Sequence, residues 1–182
     1  TTGPHCHIIV VDNASTDGSL AYLEDLAART ERMTLYSLPR NMGVSVGVNL
    51  GLAMADADYY LKLDNDIELC APGWLDAMIA IAEGNPEVAL VGYQFCAWHG
   101  TERVILPSGH AFRKSGACNG ACLLIPRKTF EACGFMNEDY GKYGYEDLDY
   151  GNRALMGQGI IGYVDDDSAA KHLGAEREIN PE

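Results

Sequence analysis

The chain has 182 residues, of which 13 are Lys or Arg and 26 are Asp or Glu, so its formal net charge is −13. Domains run to roughly 100–200 residues, so this length predicts one domain, and the 47% apolar and 21% charged residues are typical of a globular protein. The acidity argues against nucleic acid as a partner, because the chain carries no basic stripe that could displace counterions from phosphates. No apolar run approaches the ~20 residues that a bilayer crossing needs, and residues 1–7 lack the pattern of a signal peptide.

Hydrophobic periodicity predicts alternating strands and helices along the first half of the chain. The β-branched run at residues 7–12 is apolar almost throughout, which is typical of a strand buried on both faces of a parallel sheet. The following segments are predicted to be a helix at 19–29, a strand at 33–38, a helix at 43–57, a strand at 58–63, a helix at 72–83 and a strand at 88–93.

The second half of the chain is less regular. The mixed aromatic and polar pattern of residues 94–116 predicts a hairpin or a long surface loop. The remaining predicted elements are a strand at 120–126, a short helix at 128–132, a helix at 146–156 and a strand at 160–164.

Strands that alternate with helices indicate βαβ units, so the sequence predicts one α/β domain over residues 1–182 with a mainly parallel central sheet and flanking helices. Ligands of such sheets bind outside the carboxyl ends of the strands. Three acidic clusters follow predicted strands, and they are therefore the candidate functional residues.

The first cluster begins at Asp12, at the tip of the first predicted strand. The following Ser, Thr and Asp residues are typical of a turn that caps the next helix, which leaves Asp12 free to face a ligand. A calcium loop is an alternative, because Asn13 at position 1 places Glu24 at position 12 of an EF-hand pattern. Two features argue against this calcium loop: position 1 is Asn rather than Asp, and a predicted strand precedes the loop where an EF-hand has a helix.

The second cluster contains Asp64 and Asp66, which are separated by one residue at the end of a predicted strand. Two carboxylates at this spacing can approach one cation and a bound diphosphate, and Mg²⁺ or Mn²⁺ prefers such oxygen ligands. An Asp-x-Asp pair is common by chance, and a solvated turn is the alternative.

The third cluster contains Glu146 and Asp147, at the predicted start of a helix and after a segment rich in Gly and Tyr. Acidic residues at this position can simply compensate the helix dipole. They can also supply a general base, which needs a carboxylate within reach of a substrate hydroxyl. The Gly and Tyr residues favour a substrate-facing loop.

The six cysteines never form a Cys-x-x-Cys pair, and the five histidines show no zinc-ligand spacing with them. This pattern favours free thiols in a reducing cytosol over a disulfide framework or a zinc site.

The order and spacing of the three clusters resemble the inverting glycosyltransferases of family 2, which have the GT-A fold. The resemblance extends from about residue 7 to residue 172. It rests on the segments Val10 to Ser19, Arg40 to Gly43, Asn49 to Gly51, Leu63 to Asp66, and the Glu146–Asp147 pair.

The resemblance implies roles for the donor side of the site. Asp12 matches the acid that contacts the nucleotide base, and Asp64 and Asp66 match the Asp-x-Asp pair. In that pair the second acid is the usual direct metal ligand, while the first lies near the ribose and the metal. Arg40 and Asn41 are looser matches to residues that line the donor pocket.

The resemblance also implies roles for the acceptor side and for the metal. Asp147 matches the catalytic base, and Glu146 is its acidic neighbour near the acceptor. His172 is similar to the late histidine that completes the metal site in many family members; a lone histidine with a structural role is the alternative.

The implied reaction is metal-dependent transfer of a sugar, with inversion, from a nucleotide-diphospho-sugar donor to an acceptor hydroxyl, with Mn²⁺ or Mg²⁺ as cofactor. Family members often build surface polysaccharides, so the resemblance implies a glycan or lipid-linked acceptor. It also implies a cytoplasmic location with peripheral association at the inner face of the membrane.

The segment before residue 7 departs from the family pattern, because family members have a further strand and helix before the segment equivalent to residues 7–12. Three other functions stay open at this point. They are a nucleotidyltransferase, for which the chain lacks a glycine-rich basic phosphate loop, a non-catalytic nucleotide-sugar-binding module, and the calcium-binding module.

Overall fold

The computed structural model describes residues 6–95 and 100–174. Its helices are α1 Ser19–Ala28, α2 Val44–Met54, α3 Trp74–Gly84, α4 Arg127–Cys133 and α5 Glu146–Met156, and a 3₁₀ turn spans Glu138–Tyr140. Its strands are β1 Ile8–Asp12, β2 Met33–Ser37, β3 Tyr59–Leu63, β4 Ile67–Leu69, β5 Val88–Gly92, β6 Thr101–Ile105, β7 Ala111–Ser115, β8 Cys122–Pro126, β9 Ile160–Val164 and β10 Ala170–His172.

The described residues form two compact units, and each is considered by itself. The first unit contains residues 6–57 and 135–146, and the second contains residues 58–95, 100–134 and 147–174. The single-domain organisation expected from the chain length stays a prediction.

The first unit is built on the parallel pair of β1 and β2, in which Asp12 lies opposite Ser37. Helix α2 packs on β1. Its two mid-helix glycines face this strand, because a Cβ at Gly47 or Gly51 would lie about 4 Å from the Val11 side chain, which is an ordinary van der Waals distance.

The second unit is built on a six-stranded sheet in the order β3-β8-β5-β9-β7-β6. Strands β5 and β8 are buried along their whole length, and α3 packs against β5. The hairpin predicted within residues 94–116 is confirmed as the antiparallel pair of β6 and β7. Residues 96–99 of that segment lie outside the described residues.

The strand pairing corrects the prediction of a mainly parallel sheet. Strand β8 pairs antiparallel with both β3 and β5, and β7 pairs antiparallel with both β6 and β9, whereas β5 and β9 are parallel. The sheet is therefore mixed. A continuous apolar run indicates that a strand is buried on both faces, but it carries no information on strand direction.

A short antiparallel pair of β4 and β10 also lies in the second unit, and it was not predicted from the sequence. Each strand has three residues, which is too few for a periodic pattern to be recognised. The register places His172 opposite Ile67, the residue that follows Asp66.

No helix among the described residues has both the length and the apolar character that a bilayer crossing requires. The five cysteines at positions 6, 70, 118, 122 and 133, which are those the structure describes, are free thiols.

The centre of the six-stranded sheet is expected to dominate the stability of the second unit. Leu124 is 1% exposed and lies between Leu61 of β3 and Val91 of β5. Leu124→Ala is expected to lower the free energy of unfolding by about 2–5 kcal/mol, because it leaves a cavity in a packed core. Urea unfolding measures the change. Ile105→Ala on the edge strand β6, where the side chain is 63% exposed, is the control and should cost less than about 1 kcal/mol; equal losses would contradict this picture of the core.

Candidate active site

Asp12 ends β1 and is the most enclosed carboxylate of the first unit, with 4% of its surface exposed. It accepts hydrogen bonds from the Ser15 amide at 3.3 Å and from the Ser37 hydroxyl at 3.2 Å. Hydrogen bonds from the side chain and backbone of Ser15, and from Ser37, outweigh desolvation and hold the pKa of Asp12 below its ordinary value. Asp12 is therefore a fixed, ionised acceptor at neutral pH.

The loop after β2 is held by Asn13. Its amide nitrogen donates to the carbonyl of Gly43 at 3.0 Å, and its amide oxygen accepts from the Met42 amide at 2.7 Å. Both polar atoms of Asn13 are thus engaged with backbone groups, which argues against Asn13 as the first ligand of a calcium loop. Arg40 and Asn41 lie on this loop with exposed side chains, and the Asn41 side chain accepts from the Gly43 amide at 3.0 Å.

The segment that leads to Glu146 is anchored on α2. Asn49 is buried, donates to the Met136 carbonyl at 2.9 Å and accepts from the Met136 amide at 2.8 Å. Gly43 has φ +95°, and a Cβ at this position would lie 2.6 Å from the Gly141 carbonyl oxygen. Residue 43 must therefore be glycine for the segment to pack as it does.

Three tyrosines project from this anchored segment into solvent. Tyr140, Tyr143 and Tyr145 are 42%, 85% and 70% exposed, and the rings of Tyr140 and Tyr145 lie 6.3 Å apart. Tyr145 has φ +69°, which is unfavourable for an aromatic residue. We call residues 140–145 the tyrosine loop. It ends at Glu146, a buried carboxylate that accepts from the Gly144 amide at 2.8 Å.

Asp64 follows β3 in the second unit and is held by a residue of that strand and by the segment before β8. Its carboxylate pairs with the ammonium of Lys62 at 2.5 Å, and its backbone amide donates to the Ala121 carbonyl at 2.8 Å. The Asp64 side chain stays 40% exposed. It can therefore reach a ligand while its backbone is fixed.

Asp66 and His172 are brought together by the β4–β10 pair, although 105 residues separate them in sequence. His172 Nε2 lies 3.6 Å from Asp66 Oδ1, and the Leu173 amide donates to the Asp66 carbonyl at 2.7 Å. The His172 ring packs against Phe95, with centroids 5.8 Å apart. Its Nδ1 atom is buried and has no hydrogen-bond partner among the described residues.

The Asp66–His172 pair fits a divalent cation. Ligands at about 2.1 Å from an octahedral ion are about 3 Å apart when adjacent, which is close to the 3.6 Å observed. Gly174 packs tightly against the pair, and a larger residue there would crowd it, because a Cβ would lie 2.5 Å from Asp66 Oδ2 and 3.1 Å from His172 Cε1. Among residues 6–95 and 100–174, no group of three or more His, Cys, Asp or Glu side chains is arranged so that it could hold a metal ion. The pair can thus supply part of a coordination sphere that needs further oxygen ligands from a substrate or water.

Asp147 lies in the first turn of α5, as predicted. Its Oδ2 accepts from the Gly120 amide at 2.9 Å, and its Oδ1 accepts from the Leu148 amide at 2.8 Å. Each carboxylate oxygen has a further lone pair, so the group can still accept a proton from a substrate hydroxyl.

Lys62 and Gly120 were missed as candidates, and they connect Asp64 to Asp147 within the second unit. The Lys62 ammonium donates to the Gly120 carbonyl at 2.7 Å, and the Gly120 amide donates to Asp147. A signal was available in the sequence, since Lys62 interrupts the apolar run within the predicted strand at 58–63. Gly120 carries no such signal.

The fold of the described residues is that of the GT-A glycosyltransferases. The solved structure of the mannosyltransferase PcManGT from Pyrobaculum calidifontis, in complex with GDP-Man and Mn²⁺, matches 94% of this chain with a TM-score of 0.71 at 18% identity. The family model described as "Glycosyl transferase family 2" matches residues 1–127, which are more than half of the chain. The chain therefore belongs to glycosyl transferase family 2, as its motifs indicated.

Two curated relatives extend this comparison. An uncharacterized glycosyltransferase of Haemophilus influenzae is 28% identical over 91 residues, which cover 50% of this chain and 28% of the relative. The O-antigen biosynthesis protein RfbC of Myxococcus xanthus is 26% identical over 186 residues, which cover 88% of this chain and 14% of RfbC. The chain thus spans less than a third of either relative, and it covers 48% of the mannosyltransferase.

Proposed function

We propose that the protein transfers a sugar from a nucleotide-diphospho-sugar to an acceptor hydroxyl with inversion at the anomeric carbon. One observation carries the proposal. Within a single compact unit of a family 2 glycosyltransferase fold, Asp64 and Asp147 are joined through Lys62 and Gly120. A carboxylate suited to donor binding, Asp64, and one suited to accepting a proton, Asp147, thus lie in the same compact unit.

Asp147 is the proposed catalytic base. It accepts the proton of the acceptor hydroxyl while the acceptor oxygen bonds to the anomeric carbon and the bond from that carbon to the diphosphate oxygen breaks. A positioned carboxylate contributes about 10²–10⁴-fold to the rate of such a step. The hydrogen bonds from the Gly120 and Leu148 amides orient the carboxylate for this role.

Asp66 and His172 are the proposed protein ligands of Mn²⁺ or Mg²⁺, and Asp64 is the proposed neighbour of the ribose and the metal. When bound, the cation neutralises the negative charge that builds on the leaving diphosphate. This role reconciles a chain of net charge −13 with an anionic donor. Asp12 is the proposed contact of the nucleotide base, supported by its ionised state and fixed position, and Arg40 and Asn41 are proposed to line the donor pocket.

The proposed acceptor is a glycan, free or lipid-linked. The tyrosine loop supports this choice, because exposed aromatic rings stack on the apolar faces of sugar rings and the loop leads directly to Glu146 and Asp147. The likeness to an O-antigen biosynthesis protein supports a role in polysaccharide synthesis. The proposed location is the cytoplasm, at the inner face of the membrane.

A panel of UDP-, GDP- and dTDP-sugars with Mn²⁺ tests the proposal on the full-length protein. One nucleotide class should raise the unfolding temperature, since a ligand at 100 times its Kd stabilises by about 2.7 kcal/mol, or roughly 5–10 °C for a protein of this size. Release of the nucleoside diphosphate, with water or a glycan as acceptor, measures turnover. Stabilisation without any turnover would indicate a non-catalytic binding module, and no response to any donor would contradict the proposed function.

A further inference from the structure

Lys62 is a charged residue inside the apolar strand β3, and 7% of its side chain is exposed. Its cross-strand neighbour on β8 is Leu123, which is fully buried. Burying an ammonium group is unfavourable unless the charge is paired and hydrogen-bonded. The partners of the Lys62 ammonium therefore indicate why a charge stands here.

The ammonium contacts one oxygen on each side of the candidate site. It donates to Asp64 Oδ1 at 2.5 Å and to the carbonyl oxygen of Gly120 at 2.7 Å. The first partner is a candidate donor-binding residue. The second belongs to the residue whose amide donates to Asp147 at 2.9 Å.

Gly120 fits tightly between these two side chains. A Cβ at this position would lie 2.9 Å from the Cβ of Asp147 and 3.5 Å from both Asp147 Oδ2 and Lys62 Nζ. Any larger residue at position 120 would displace Asp147. The absence of a side chain at Gly120 therefore allows its amide to face Asp147 while its carbonyl faces Lys62.

The segment that carries Gly120 is also fixed from outside. Asn119 accepts a hydrogen bond from the Ala121 amide at 2.9 Å, and the Asn119 amide donates to the Tyr163 hydroxyl at 3.0 Å. The Asp64 amide donates to the Ala121 carbonyl. Lys62 and Asp147 therefore contact the same backbone segment, which hydrogen bonds hold on both sides of Gly120.

We propose that Lys62 is a positioning residue that orients Asp64 directly and Asp147 through Gly120. The inference rests on the proposed function, because it gives Lys62 a role in the same site. It makes separate predictions for the two sides: removing the Lys62 charge disturbs both carboxylates, whereas adding a methyl group at Gly120 disturbs Asp147.

Steady-state kinetics on the full-length protein separate the two effects. Lys62→Met should lower kcat about 10- to 100-fold and also raise the KM for the donor, because a misplaced group of this kind costs up to about 100-fold. Gly120→Ala should lower kcat with the donor KM unchanged. Lys114→Met, which removes an exposed lysine from β7, is the matched control and should leave both constants unchanged.

A second readout does not depend on turnover. The ¹H–¹⁵N resonance of the Gly120 amide reports its hydrogen bond to Asp147, and it should shift in Lys62→Met but not in Lys114→Met. A folded Lys62→Met protein with wild-type kcat, donor KM and Gly120 resonance would overturn the positioning role. If the wild-type protein neither binds nor turns over any donor, the proposed function fails, and the Gly120 resonance alone then decides whether Lys62 positions Asp147.

Discussion

Asp147→Asn is expected to lower the rate of sugar transfer by about 10²–10⁴-fold while leaving donor affinity unchanged. Asparagine has nearly the same shape, and its carbonyl oxygen can still accept the hydrogen bond that the Gly120 amide donates at 2.9 Å. The neutral amide cannot take a proton from the acceptor. Measurements of kcat with a glycan acceptor and of donor-induced thermal stabilisation separate the two properties.

Asp76→Asn is the matched control for Asp147→Asn. Asp76 lies in the first turn of α3, as Asp147 lies in the first turn of α5, so both substitutions remove one favourable helix-dipole interaction of about 0.3–1 kcal/mol. The control should retain wild-type kcat. Transfer at the wild-type rate by Asp147→Asn would remove this residue as the base.

The sequence predicted the fold because its strands and helices have strong local signals. The strands at 88–93 and 120–126 are apolar throughout, and they became the two fully buried strands of the six-stranded sheet. The sheet was predicted to be mainly parallel and is mixed, because hydrophobic burial depends on both faces of a strand and not on its direction. The β4–β10 pair depends on a contact between two three-residue segments that are distant in sequence, which short patterns describe poorly.

The candidate site was predictable where chemistry is carried by side chains of a distinctive type. Asp12, Asp64 and Asp147 stand at the ends of elements, where the sequence analysis located them. The 3.6 Å approach of His172 to Asp66 follows from a pairing of two three-residue strands, and no local pattern indicates it. The sequence suggested this histidine through family resemblance, whereas the structure gives a geometric reason to consider it.

The residues that link the site were harder to predict, because their roles lie in backbone contacts. Gly120 acts through its amide and carbonyl groups and through the space beside Asp147, none of which leaves a trace in composition or periodicity. Lys62 was visible as a charge within an apolar strand, but β3 is an edge strand of the sheet, where a charged side chain can equally face solvent. Burial and hydrogen bonding had to be known before a role could be assigned.

Asp66→Asn is expected to abolish the stabilisation that a nucleotide-diphospho-sugar gives in the presence of Mn²⁺. A neutral amide is a poorer ligand for a divalent cation than a carboxylate, and His172 would be left as the remaining protein ligand of the proposed pair. At a donor concentration 100 times the wild-type Kd, the loss amounts to about 2.7 kcal/mol. Thermal unfolding with and without donor, each with Mn²⁺ or with a chelator, measures the difference within each variant, so a change in the basal stability of Asp66→Asn does not affect the result.

Glu68→Gln is the matched control for Asp66→Asn, since it removes the same charge from an exposed position two residues along, on β4. It should keep the full response to Mn²⁺ and donor, because Glu68 lies opposite Lys171 rather than His172. Loss of the response in both variants would point to a general effect of negative charge on this segment. A response of wild-type size in Asp66→Asn, still abolished by the chelator, would show that the cation is held elsewhere and that the proximity of Asp66 to His172 has a structural origin.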